Sequence, residues 1–116
     1  MSEHADHYLR RFEARELARE DLRQRALAAM PALVDLLVRD FGAKRVILFG
    51  SLVRGAMSDH PDIDLLVEGI DPVAVGRAAG RLFLLAPLPV DLVPRETGRP
   101  EIVARALEEG IVLHDA

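Results

Sequence analysis

The chain has 116 residues, of which half are hydrophobic and 29% charged, with a formal net charge of −4 and no cysteine. That length suits one domain around one core, and the acidic balance sets aside a protein that coats nucleic acid, which needs a basic excess. Without cysteine there is no disulfide, thiol nucleophile or thiolate metal ligand. The opening MSEHADHYLRRFEAREL has no apolar core of a signal peptide, and no window approaches the ~20 apolar residues of a membrane span. The expected location is therefore cytoplasmic, with neither a membrane nor a nucleic-acid partner.

From 4 to 41 the chain has no glycine and one proline, and it is rich in Ala, Leu, Arg and Glu, which favour helix. Leu22, Ala26, Met30, Leu33, Leu37 and Phe41 keep three-to-four spacing and predict a buried stripe. Pro31 lacks a backbone donor, so a kink or the start of a second helix is expected there, and Gly42 is a natural stop. The division this suggests is a helical extension over 1–30 and a domain over 31–116.

The run RVILF is continuous and β-branched and predicts a central strand. A second strand is expected over 62–68, a third over 90–93 between prolines, and a last one in IVLHD. Asp71 and Pro72 predict the cap and first position of a helix over 73–84, and 101–109 predicts another, closed by Gly110. Alternating helices and strands with no repeat indicate an α+β layered fold.

Two aspartates stand at the start of the second strand. Side chains alternate along a strand, so Asp62 and Asp64 face one way, roughly 6.5 Å apart at Cα, and Ile63 and Leu65 face the other. Carboxylates are costly to bury unpaired, and a cation is the natural compensation. Asp91, set between Val90 and Leu92 in an apolar strand, is the candidate third ligand. Mg²⁺ takes a few carboxylates plus waters and phosphates, and a pair of such ions can clamp both oxygens of a phosphoryl transfer. After the first strand, Gly50 lets the backbone turn close to a ligand, Ser51 opens a short helix with free N–H groups, and Arg54 can reach phosphate oxygens.

Together, GSLVRG at a strand end, DID leading an apolar strand and VDLV in a later strand resemble the DNA polymerase β-like nucleotidyltransferase superfamily. The short length resembles its minimal nucleotidyltransferase (MNT) branch, often antitoxins paired with HEPN-domain proteins. The resemblance covers about 31–115. It implies a palm with a small mixed sheet, ATP or another NTP as donor, two Mg²⁺ held by Asp62, Asp64 and Asp91, and a triphosphate held by Gly50 and Ser51. It further implies transfer of AMP to a hydroxyl, a tyrosine of a HEPN-like partner. Pro61 stands where the family commonly has Ser, and Asp59 adds an acid to the preceding loop.

Other polar residues have plainer readings. His4 and His7 have metal-ligand spacing at a terminus that frays, and His60 reads as a solvated loop residue. Arg11, Arg15, Arg19 and Arg23 form a basic ridge that ordinary i,i+4 ion pairing accounts for. Tyr8, Leu9 and Phe12 must cover their apolar side with their own domain, a second copy in a homo-oligomer, or a different protein. The alternative to a protein adenylyltransferase is a non-catalytic antitoxin that neutralises its partner by contact.

Overall fold

The computed structural model describes residues 3–55 and 61–116. Helix α1 runs unbroken from Glu3 to Phe41, 39 residues, with Pro31 inside it and on its exposed side. The second helix start expected at Pro31 does not occur. Burial of Met30, Leu33, Leu36 and Leu37 on either side of the exposed proline outweighs the ~3 kcal/mol that an interior proline costs. The division expected at 30/31 thus falls within a single helix. At about 1.5 Å per residue α1 is roughly 58 Å long, so the 59 Å long dimension of the molecule is essentially this helix. Gly42, at φ 71°, closes it, and the N–H groups of Gly42 and Ala43 return to the carbonyls of Val38 and Leu37 at 3.1 and 3.0 Å.

The remaining elements follow in order: β1 (Arg45–Phe49), the one-turn α2 (Ser51–Arg54), β2 (Ile63–Glu68), a 3₁₀ turn (Pro72–Ala74) leading into α3 (Val75–Leu85), β3 (Val90–Pro94), α4 (Pro100–Glu109) and β4 (Ile111–Asp115). Asp71 caps the 3₁₀ turn by accepting from Val73 N at 3.0 Å. The four strands form one mixed sheet in the order β3-β2-β1-β4, with β1 antiparallel to both neighbours and β2 parallel to β3. The fold is α+β, a small mixed sheet packed on helices.

Alternation along the strands divides the core into two layers. Val46, Leu48, Ile63, Leu65 and Val67 meet α1 and α3 through residues such as Ala26, Leu33, Leu37, Ala78 and Leu82. On the other face Ile47, Phe49 and Leu66 meet Ala106, Ile102 and Val103 of α4. Arg81 pins α3 to α1 by an ion pair with Asp40 at 2.6 Å, and Arg77 and Arg81 both lie 5.6 Å from the Phe41 ring centroid. At the start of β1 a row of charges crosses the sheet. Glu68 accepts from Arg45 at 3.4 Å and from Arg95 at 2.6 Å, and Arg45 approaches Asp115 at 4.0 Å. Among the described residues no helix is long and apolar enough to cross a membrane.

Candidate active site

The opposite end of the sheet gathers the residues singled out in the sequence. Phe49 at the end of β1 pairs with Asp64, and Asp64 pairs in turn with Asp91 of β3. Strands β2 and β3 therefore bring one carboxylate directly opposite another, with Asp62 just before β2, two residues from Asp64 and on the same side. The Ile63 N–H donates to the Pro89 carbonyl at 2.8 Å and fixes this register at the mouth. Asp64 is half-buried, whereas Asp62 and Asp91 are exposed.

Gly50 links the carboxylates to the loop that follows β1. Its φ of 81° favours glycine, and a Cβ built there would overlap the Asp64 carboxylate. The backbone and the acid thus share a space that no other residue would leave open. From Gly50 the chain makes a single turn, with the N–H groups of Val53 and Arg54 returning to the Gly50 carbonyl at 3.2 and 3.1 Å. Ser51 is half-buried at its start. Arg54 is exposed, and its Nη1 donates to Glu109 Oε1 of α4 at 3.1 Å. Sequence reasoning had no signal for Glu109, because only the packing of α4 under β1 brings it to a loop 55 residues away.

Burial pushes the Asp64 carboxyl up to about 6, the negative charges of Asp91 and Asp62 push in the same direction, and the Arg54 guanidinium opposes them. Among the described residues no three His, Cys, Asp or Glu side chains already stand close enough together to hold a metal ion. The fit to a cation rests instead on register and donor chemistry: three carboxylates on one side of adjacent strands, all hard oxygen donors, repelling one another until a positive charge is supplied. Those donors suit Mg²⁺. His4 and His7 are exposed on α1, and Asp59 and His60 lie outside the described residues.

The nucleotidyltransferase domain family matches residues 30–113, which contain Gly50, Ser51, Arg54, Asp62, Asp64, Asp91 and Glu109. The chain belongs to the nucleotidyltransferase family. The structure of a minimal nucleotidyltransferase is 32% identical, with a TM-score of 0.61 over 72% of this chain and 88% of that one. The toxin-antitoxin pair MntA-HpeT contains a chain 24% identical, with a TM-score of 0.65 over 75% of this chain and 72% of that one. A toxin-antitoxin structure with AMP-PNP gives 24% identity and a TM-score of 0.63 over 73% of each chain. No curated protein matches the chain. This nucleotidyltransferase thus has the fold its family implies, and residues 3–29 of α1 lie outside the stretch that the family matches.

Proposed function

We propose that this nucleotidyltransferase transfers AMP from ATP to a hydroxyl of a partner protein, a tyrosine of a HEPN-type toxin, and so serves as a cytoplasmic antitoxin. The observation that carries the reading is the pairing of Asp64 with Asp91 on neighbouring strands, with the Gly50 backbone held against Asp64. The MntA-HpeT likeness in fold supports the class of partner.

Asp62, Asp64 and Asp91 would hold two Mg²⁺, which when bound supply positive charge to the phosphates and to the attacking oxygen. Gly50 and Ser51 orient the β- and γ-phosphates through backbone N–H groups and the serine hydroxyl. Arg54, already within reach of Asp64's field, adds a guanidinium to the phosphate end. Asp91, exposed on the edge strand β3, takes the proton of the acceptor hydroxyl, directly or through water. The hydroxyl oxygen bonds to the α-phosphorus as the bond from that phosphorus to the β-phosphate oxygen breaks. Pyrophosphate leaves, and the acceptor keeps AMP.

The test is ATP labelled at either the α- or the γ-phosphate, given to the full chain with Mg²⁺ and its partner protein. The α label should become covalent on the partner and the γ label should not. Asp62→Asn and Asp91→Asn should lower labelling by about 10² or more, because charge compensation at the transition state is lost, and Ser51→Ala and Arg54→Gln should lower it less. A wild type that silences its partner without label, equalled by Asp91→Asn, would establish the non-catalytic antitoxin instead.

A further inference from the structure

Helix α1 does more than cover the sheet. The Arg23 side chain donates to the Leu52 carbonyl at 3.4 Å, so α1 is level with the site loop at Arg23. Residues 3–22 continue past Arg23 by roughly 30 Å, with Leu22 and Arg19 still partly buried and the exposed stretch 7–18 leaving the domain. They point away from the domain at the end where Asp62, Asp64 and Asp91 open, and they lie outside the family match, which starts at 30.

The exposed face of this arm is set by helix period. Tyr8 and Phe12 precede the buried Ala26 and Met30 by 18 residues, about five whole turns, so the stripe that packs on the sheet continues into solvent on the same side. Tyr8 is 68% and Phe12 62% exposed. Tyr8, Leu9 and Phe12 share a groove with Arg11 and Arg15, and among the described residues those two arginines have no ion-pair partner. At the same end of the molecule Phe83, Leu84 and Leu85 are also exposed. They close α3 just before the link to Val90, which pairs with Ile63 at the mouth.

We propose that residues 3–22 are a docking arm for the acceptor protein, which binds through an apolar face bordered by carboxylates. Only the word acceptor rests on the function proposed above. A second copy does not fit the face. Running parallel, its helix would have to occupy the volume that this chain's own sheet fills from Ala26 onward. Running antiparallel about Phe12, it would set Arg11 and Arg15 against themselves on one flank and Glu13 and Glu16 against themselves on the other, and such like-charge contacts oppose association. A different protein with carboxylates on the Arg11 and Arg15 flank meets neither obstacle. Its position past the site end then favours delivery of a hydroxyl to Asp91, which turns docking energy into orientation.

The experiment uses the full chain and the protein encoded by the neighbouring reading frame, purified separately. Phe12→Glu and the pair Arg11→Glu with Arg15→Glu alter exposed positions only. Phe12→Glu should weaken partner binding and raise the acceptor KM by roughly tenfold or more. The rate at saturating acceptor and the melting shift with Mg²⁺ and ATP should not change. The arginine pair should show a loss that narrows as salt is raised, because its attraction is screened. Unchanged affinity in both variants, or no binding by the wild type, would overturn the proposal. So would a wild-type dimer, seen by light scattering, that Phe12→Glu dissociates, since the occupant is then a second copy. A lost Mg²⁺–ATP shift in the arm variants would make the arm part of the nucleotide site instead of a dock. Binding through the arm with no label transferred would leave the dock standing and refute AMP transfer alone.

Discussion

Replacing Asp64 by Asn tests the electrostatics of the site before any reaction is measured. The Asp64 carboxyl lies at about 6 against an ordinary 3.8, a rise worth roughly 3 kcal/mol in favour of the protonated form. Because the group is only half-buried, solvent screening reduces this to about 1–2 kcal/mol. The folded state holds the Asp64 proton more tightly than the unfolded chain, so stability from this group is full below about pH 4 and is lost as pH rises through about 6. At pH 7.5 without divalent cation, Asp64→Asn removes the repelled charge and should therefore be more stable than wild type by about 1–2 kcal/mol, or a few degrees in Tm. About half of that advantage should be gone at pH 5 and all of it below pH 4. Adding Mg²⁺ and ATP should reverse the order, because ligand stabilises only the chain that binds it. Urea melts at three pH values, with and without Mg²⁺–ATP, measure every term. An Asn variant that is less stable than wild type at pH 7.5 without cation, or an advantage that does not shrink on acidification, would refute the reasoning.

Two further substitutions separate the site from the frame. Gly50→Ala should cost about 1–3 kcal/mol from its positive φ and from crowding of Asp64, and the Mg²⁺–ATP melting shift should disappear with it. Glu68→Gln leaves Arg45 and Arg95 without their shared carboxylate at the other end of the sheet. It should cost about 1 kcal/mol or less by denaturant melts, since all three groups are partly exposed, while transfer to the partner is unaffected.

Where local rules decide, the elements stand within a residue or two of their expected places. β1 occupies Arg45–Phe49, and Asp71 caps the turn before α3. Alternation alone put Ile63 and Leu65 on one side, and they do enter the core with Leu33 and Leu82. The second helix start offered at Pro31 does not occur, because packing on both sides of the proline competes with the backbone rule. The ion pairing expected along the arginine ridge holds for part of it: Arg19, Arg23 and Arg25 find acids one turn away, at Glu16, Glu20 and Asp21, whereas Arg11 and Arg15 find none among the described residues.

The sequence by itself determined the helical character of 4–41 and the stripe from Leu22 to Phe41, the strands, the turn at Gly50 and the acid-bearing start of β2, because each follows from residue type and period within a few positions. Only the tertiary structure decided what faces what. Asp91 stands opposite Asp64 because β2 and β3 pair in parallel in one register, and a shift of one residue would turn Asp91 to the helical core. Glu109 reaches Arg54 because α4 packs beneath β1. The arm projects past the site because α1 is longer than the sheet it covers, and since β1 runs back along α1 from Gly42, the excess lies at the end where β1 stops. Period and propensity act between neighbours in the chain, whereas pairing register and helix overhang are properties of the packed whole.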